Sequence, residues 1–223
     1  MIPEESKHVW FINNLDFVDF AHHPRIPQVL NMVWVGDSEP PESFQVHVDK
    51  WKQLMPHWNV RVWRNEDITE EHFPPNIVQK INESTKGAQK CDIMKYHIIE
   101  KYGGVYMDAD VTPHRSLDPI IYDLNGAEIV LCHDIPVTWE YMAVGFFAAV
   151  PHHSVLKIAC ELLTHSQINT ENINMHTGPQ IMGWAMARQS YNWHKHVIIP
   201  TNYFYYNENF DQRFGTHTYD KNW

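Results

Sequence analysis

Three cysteines are too few, and too far apart, to build a disulfide framework or a zinc ribbon. Cys91, Cys132 and Cys160 form no CxxC pair, so a reducing compartment fits the chain better. Histidine is plentiful at sixteen residues, yet no HExxH or comparable metal spacing occurs. Positive charge is scarce: 17 Lys and Arg stand against 27 Asp and Glu, a formal net charge of −10. Such a chain lacks the basic surface that wrapping nucleic acid demands. No apolar run approaches the roughly 18 residues of a membrane helix. The first residues, MIPEESKHVW, carry acids and lack the apolar core of a signal peptide. The expectation is a soluble, cytoplasmic protein with no membrane span and no nucleic-acid partner.

What is present suits a globular α/β chain. Hydrophobic residues make up 43% of the 223 positions and charged residues 20%, enough apolar matter for a sizeable core. Residues 1–25 show no period and read as an N-terminal arm. Residues 28–35 (QVLNMVWV), between Pro27 and Gly36, read as a buried strand. After Pro41, Phe44, Val48, Trp51 and Leu54 recur at helical spacing until Pro56. Residues 59–63 (NVRVW) alternate as a second strand. The order β, α, β argues for a mostly parallel central sheet flanked by helices. The clearest helix, 88–102, carries Cys91, Met94, Ile98 and Tyr102 on one face and ends at Gly103 and Gly104. Strands follow at 105–108, 128–133, 142–150 and 197–199, with helices at 154–164 and 179–189. The tail, 203–223, has no period but holds eight aromatics, which should pack back onto the body. Residues 26–223 read as one domain.

The strand 105–108 ends in a pair of acids, Asp108 and Asp110. Along a strand, residues two apart share a face, so these carboxylates aim together, roughly 6–7 Å apart at about 3.3 Å per residue. In an open α/β sheet, ligands bind beyond the carboxyl ends of the strands. Two carboxylates held there repel each other unless a cation sits between them. Oxygen ligands suit Mg²⁺ or Mn²⁺, ions that keep waters and take phosphate oxygens from a substrate. Asp92 and Lys95 lie three apart on the preceding helix and share a face; as an ordinary ion pair they are worth about 0.2–0.5 kcal/mol.

The stretch CDIMKYHIIEKYGGVYMDADV, residues 91–111, resembles the hallmark of the DXD-containing retaining glycosyltransferases of GT-A type. That group includes the fungal initiating α-1,6-mannosyltransferases and the glucosylating domains of clostridial toxins. Cys91 stands at the family's small position and Lys95 where the family has arginine. RIPQVLNMVWVGD (25–37), VDKWKQLMPHWNVRVWRNED (48–67) and GTHTYDKNW (215–223) are similar to further family elements. The resemblance implies a GT-A-like single domain that moves a sugar from a nucleotide diphosphate donor to a hydroxyl acceptor on a glycan or glycoprotein. A UDP-sugar is the first choice of donor and GDP-mannose the second, with Mn²⁺ or Mg²⁺ as cofactor and retention of configuration. It implies that Asp108, Asp110 and His217 hold the ion and that Asp108 also contacts the donor ribose. Asp92 would accept from sugar hydroxyls, and Lys95, lacking the bidentate fork of arginine, would donate to the sugar or to the DXD carboxylates. Trp34 would stack near the base and Trp223 would reach the diphosphate. Thr177, Gly178 and Pro179 would form a loop beside the acceptor. Two other readings remain open: a metal-dependent phosphohydrolase, with His133–Asp134 and His152–His153 as a second ligand set, and a catalytically dead sugar-nucleotide-binding protein.

Overall fold

The structure is a computed structural model that describes residues 24–122, 127–133, 142–189, 196–205, 211 and 213–219. The chain forms eight strands and seven α-helices among these residues. The strands are β1 (Val29–Val33), β2 (Asn59–Trp63), β3 (Gly104–Met107), β4 (Val111–Pro113), β5 (Ile129–His133), β6 (Met142–Ala149), β7 (His196–Ile199) and β8 (Gly215–His217). The helices are α1 (Glu42–Leu54), α2 (Pro75–Glu83), α3 (Gly87–Tyr102), α4 (Asp118–Tyr122), α5 (Ser154–His165), α6 (Ile173–His176) and α7 (Pro179–Ala187).

Six strands form one sheet in the order β2-β1-β3-β6-β5-β7, and β4 pairs with β8 in a small ribbon. Within the large sheet β1 runs parallel to β2 and β3, and β5 runs parallel to β7. β6 is antiparallel to both its neighbours. The sheet is thus mostly parallel, as the β, α, β reading anticipates.

Alternation along each strand divides the core between the two faces of the sheet. Leu30, Met32, Val105, Met107 and Phe146 join α1 and the folded-back tail on one face. Tyr106, Ile129, Leu131 and Phe147 join α2, α3, α5 and α7 on the other. Burial of a central helix explains one departure from the sequence pattern. α3 is buried at every position from Cys91 to Ile99, not along one stripe, because sheet strands cover one side and α2 and α5 the other. The paired glycines after it are steric necessities. Gly103 and Gly104 both adopt positive φ, and a Cβ on Gly104 would lie 2.6 Å from the Val29 carbonyl oxygen.

Of the described tail aromatics, Tyr203, Phe204, Tyr205 and Phe214 are buried against the body, while Tyr219 stays exposed. Phe204 stacks on Phe146 at 4.2 Å, and Phe214 lies 5.6 Å from Tyr203. The sequence pattern missed β8 because three residues are too short to show a period, and α2 because nine residues with only Ile77 and Ile81 buried make a short stripe. The arm 1–25 lies almost wholly outside the described residues.

Candidate active site

Strand β3 stops at Met107, one residue earlier than expected. Asp108, Ala109 and Asp110 are therefore not the end of a strand but a turn, closed by the Val111 N–H on the Asp108 carbonyl at 3.3 Å. The two carboxylates converge because the chain bends, not because of strand alternation. Every backbone anchor of the turn comes from a different element. Asp108 N–H donates to the Gly145 carbonyl on β6 at 2.8 Å. The Ala109 carbonyl receives His47 Nδ1 of α1 at 3.0 Å. The Asp110 carbonyl receives both the N–H and the hydroxyl of Thr218, at 3.0 and 2.9 Å.

The pairing of β4 with β8 sets Val111 opposite His217 and brings the imidazole to the turn. His217 Nε2 lies 3.4 Å from Asp108 Oδ2 and 3.4 Å from Asp110 Oδ1. The Tyr219 N–H donates to Nδ1 at 3.1 Å, so the neutral ring carries its proton on Nε2, facing the acids. Tyr205 stacks on this ring at 5.3 Å and Tyr219 lies at 4.3 Å. One ligand atom from each of Asp108, Asp110 and His217 lies within 4.8 Å of the others, the one such group among the described residues.

On the other side stand Asp92 and Lys95 of α3. Lys95 is 3% exposed, with Nζ 2.6 Å from Asp92 Oδ1 and 4.0 Å from Asp108 Oδ1. The buried Thr177 hydroxyl donates to Asp92 Oδ2 at 3.0 Å. The Tyr106 hydroxyl donates to Asp108 Oδ1 at 2.7 Å. This is no surface ion pair of a few tenths of a kcal/mol: two desolvated charges hold each other, and removal of either strands the other.

Electrostatics follow from burial and these partners. Burial works against the Asp108 carboxylate, yet Lys95, His217 and Tyr106 together hold it below the usual carboxylate range. Burial also opposes the Lys95 ammonium, and Asp92 with Asp108 outweighs it, so Lys95 is raised and charged. His217 is raised in the same way, the two aspartates overcoming desolvation. Burial lifts the Asp92 carboxyl against the pull of Lys95 and Thr177. Cys91 lines the same cavity, but burial and then the two acids push its thiol up to about 12. It is a thiol at neutral pH and no nucleophile.

Cys91, Asp92, Lys95, Asp108 and His217 line a cavity of about 490 Å³, whose walls also include Gly145, Asn174, Pro179, Tyr205 and Tyr219; Asp110 meets Asp108 and His217 without forming part of the wall. Gly145 keeps it open. A Cβ there would sit 2.8 Å from Asp108 Oδ2 and from the Tyr205 hydroxyl, and 3.1 Å from His217 Cδ2. Two carboxylates, an imidazole and a glycine-cleared space beside them suit a divalent cation. An ion taken at Nε2 of His217 replaces the proton there.

Of the residues singled out from the sequence, Asp92, Lys95, Asp108, Asp110 and His217 come together. Trp34 does not line the cavity. It is 7% exposed, packs on Phe44 at 5.6 Å and donates from Nε1 to the Ser38 carbonyl at 2.9 Å. Burial in the α1 face of the core accounts for this place. Trp223 lies outside the described residues, as does Asp134. His152 pairs with Glu100, and His153 caps α5 by accepting from the Val155 N–H. Neither joins the aspartates. Sequence reading missed Tyr106, Gly145 and Tyr205. Tyr106 was within reach, since it lies two residues before Asp108. Gly145, a lone glycine inside an apolar strand, is the usual mark of a close backbone approach. Tyr205 had no local signal.

Residues 41–125 match the family described as the glycosyltransferase sugar-binding region containing DXD motif. The chain is 26% identical over 176 residues to inositol phosphoceramide mannosyltransferase 1 of Schizosaccharomyces pombe, covering 70% of this chain and 50% of that protein. The chain thus spans about half the length of this curated relative. Among solved structures, the fold matches the PaToxG glycosyltransferase with a TM-score of 0.58 at 15% identity, over 76% of this chain and 70% of that one. It also matches a glycosyltransferase involved in glycosylation of the major capsid of PBCV-1, with a TM-score of 0.54 at 12% identity, over 87% of this chain and 95% of that one. Residues 41–125 are thus similar to the DXD-containing glycosyltransferase sugar-binding region, and the chain shares the GT-A-type α/β fold of these solved structures.

Proposed function

We propose that the chain transfers a sugar from a nucleoside diphosphate sugar to a hydroxyl acceptor, with Mn²⁺ or Mg²⁺ held by Asp108, Asp110 and His217. The observation that carries this reading is the convergence of three ligand-type side chains, Asp108, Asp110 and His217, at a cavity that Asp108 and His217 line together with the buried Asp92–Lys95 pair. A bound divalent ion supplies positive charge to the departing diphosphate. The chain's own groups do the rest. Lys95 places a fixed ammonium beside Asp108 and Asp92. Asp92, oriented by Thr177 and Lys95, is set to accept from sugar hydroxyls. Tyr106 fixes the rotamer of Asp108. Asn174, Tyr205 and Tyr219 supply polar and aromatic walls. Asp92 is engaged by Lys95 and Thr177, and Cys91 stays a thiol. The family resemblance favours a retaining transfer, and same-face attack with the leaving phosphate as base needs no nucleophile from Cys91.

Two donor classes fit the reading. The family resemblance favours a UDP-sugar, and the name of the fungal relative brings GDP-mannose beside it. The acceptor class is a glycan or glycoprotein hydroxyl. Of the second ligand set that a phosphohydrolase reading needs, His152 and His153 are engaged elsewhere, and Asp134 lies outside the described residues. A thermal-shift panel of UDP-sugars and GDP-mannose, each with and without Mn²⁺, tests the proposal. A ligand at about 100 times its Kd stabilises the fold by about 2.7 kcal/mol. One donor should raise the melting temperature only when Mn²⁺ is present. A panel in which no donor does so contradicts the reading.

A further inference from the structure

The middle of the turn is held by a residue that takes no part in the cavity. His47 lies on α1 and is 8% exposed. Its Nδ1 is 3.0 Å from the Ala109 carbonyl oxygen, and its Nε2 is 3.2 Å from the Thr112 hydroxyl. A carbonyl can only accept, so Nδ1 carries the proton and Nε2 accepts from Thr112. Both nitrogens of a neutral ring are thereby used, and both bonds land on the segment that contains the two aspartates. Among the described residues no backbone N–H takes the Ala109 carbonyl, and Ala109 is itself buried. His47 is what satisfies that oxygen.

The same helix face is anchored a turn away. Phe44, three residues earlier, packs on Trp34 at 5.6 Å, and Trp51, one turn on, is fully buried. α1 is therefore a rigid mount, and His47 is the point where it grips the turn. Thr218 grips the far side at the Asp110 carbonyl. With one clamp on each side, the turn presents both carboxylates inward at fixed angles.

We infer that His47 is a positioning residue: through its Nδ1–H on the Ala109 carbonyl it sets the aim of Asp108 and Asp110, and so the affinity of the turn for a divalent cation. The statement about the cation rests on the function proposed above; the statement about the turn does not. Residues that orient ligands from behind alter metal affinity or activity by about 10- to 100-fold when lost.

The test uses the full chain with three substitutions. His47→Phe keeps the ring volume and removes both bonds. His47→Asn keeps an N–H near the Nδ1 position. His47→Gln moves the amide toward the Nε2 position and serves as the loss variant should His47→Phe not fold. Two readouts are taken: amide hydrogen exchange of Asp108 and Val111 without added metal, and a titration with Mn²⁺ alone, with Asp110→Asn as reference. His47→Phe should speed exchange at Val111 at least about tenfold and weaken Mn²⁺ binding by about 10- to 100-fold. His47→Asn should stay within about threefold of wild type in both, and His47→Gln should follow His47→Phe. If folded His47→Phe matches wild type in exchange and in Mn²⁺ affinity, the inference is overturned. It is also overturned if His47→Asn loses as much as His47→Phe, since the Ala109 bond is then not the one that matters. If exchange rises in His47→Phe while wild type and Asp110→Asn respond alike to Mn²⁺, the clamp stands and the cation reading falls.

Discussion

The two ends of α3 each border a cavity, of about 490 Å³ at the Asp92 end and about 430 Å³ at the Glu100 end. Both are lined by acids, histidine and lysine. At the first end the charges converge: Lys95 meets two aspartates, and His217 meets two. At the second they disperse. His152 pairs outward with Glu100, Lys101 turns to backbone carbonyls at Glu71 and His72, and His72 is taken by the Tyr102 hydroxyl. His97, 8% exposed, leaves its buried Nε2 with no hydrogen-bond partner among the described residues. The difference teaches that titratable residues around a hollow do not make chemistry. At the first end a backbone turn gathers them, and three separate segments, through Gly145, His47 and Thr218, tie that turn down.

Substitutions at the convergent end should cost the most. Asp108→Asn should lower kcat/KM by about 100-fold or more, because charge stabilisation by a held cation is worth several kcal/mol. Stability should change little, since Tyr106 can still donate to the amide oxygen. Steady-state kinetics alongside a melting curve checks both. A variant within tenfold of wild type would erase the distinction between the two ends.

Gly145→Val should follow closely. Its side chain must occupy the space beside Asp108 and His217, and the expected loss is Mn²⁺-dependent donor binding with a smaller loss of melting temperature. Isothermal titration of donor with Mn²⁺ measures it. Unchanged affinity would mean that the cavity opens elsewhere.

The fold and the centre of the site were readable from residue order because their signals are local. β1, α1, β2 and α3 each carry their own period and their own stop, and the DXD pair and its glycines sit within the eight residues 103–110. What was not readable is long-range. His217 joins Asp108 across more than a hundred residues of chain, through a three-residue strand that shows no pattern; only the resemblance pointed to it. Thr177 was noted as part of a loop, but its bond to Asp92 depends on how α6 and α7 pack against α3. Trp34 illustrates an ambiguity that sequence leaves open. A tryptophan at a strand end can stack on a base or fill a core, and only packing decides; here Phe44 and the Ser38 carbonyl claim it.

Lys95→Arg sharpens the comparison more gently. The guanidinium offers two donors where Lys95 offers a point charge, but it must fit a fully enclosed place beside Tyr106, whose ring lies 5.2 Å from Nζ. Overpacking typically costs about 1–3 kcal/mol. The variant should melt lower and keep measurable transfer, whereas Lys95→Ala, which strands two buried acids, should lose transfer altogether. Equal melting temperatures and rates for Lys95→Arg and wild type would show that the cavity has room to spare.

The smallest effect on activity belongs to the dispersed end. Burial holds His97 down to about 4, so between about pH 6.5 and 4 the unfolded chain binds a proton that the folded chain does not. Stability therefore falls as pH falls through that window and levels below it, by about 3 kcal/mol for this group. His97→Phe should flatten that part of the stability curve relative to wild type and leave turnover at pH 7 within about twofold. Chemical denaturation at several pH values measures the slope. A tenfold loss of turnover would mean that the far end of α3 does take part in catalysis.

The central claim is that the Asp108–Asp110 turn holds a cation for nucleotide-sugar chemistry. Its most direct measurement is release of nucleoside diphosphate from UDP-sugars and GDP-mannose, with Mn²⁺ and with chelator, by wild type and by Asp110→Asn. The account predicts release from at least one donor by wild type with Mn²⁺, none with chelator, and at least about a 100-fold loss in folded Asp110→Asn. Release at equal rates with chelator, or by Asp110→Asn in Mn²⁺, would contradict it.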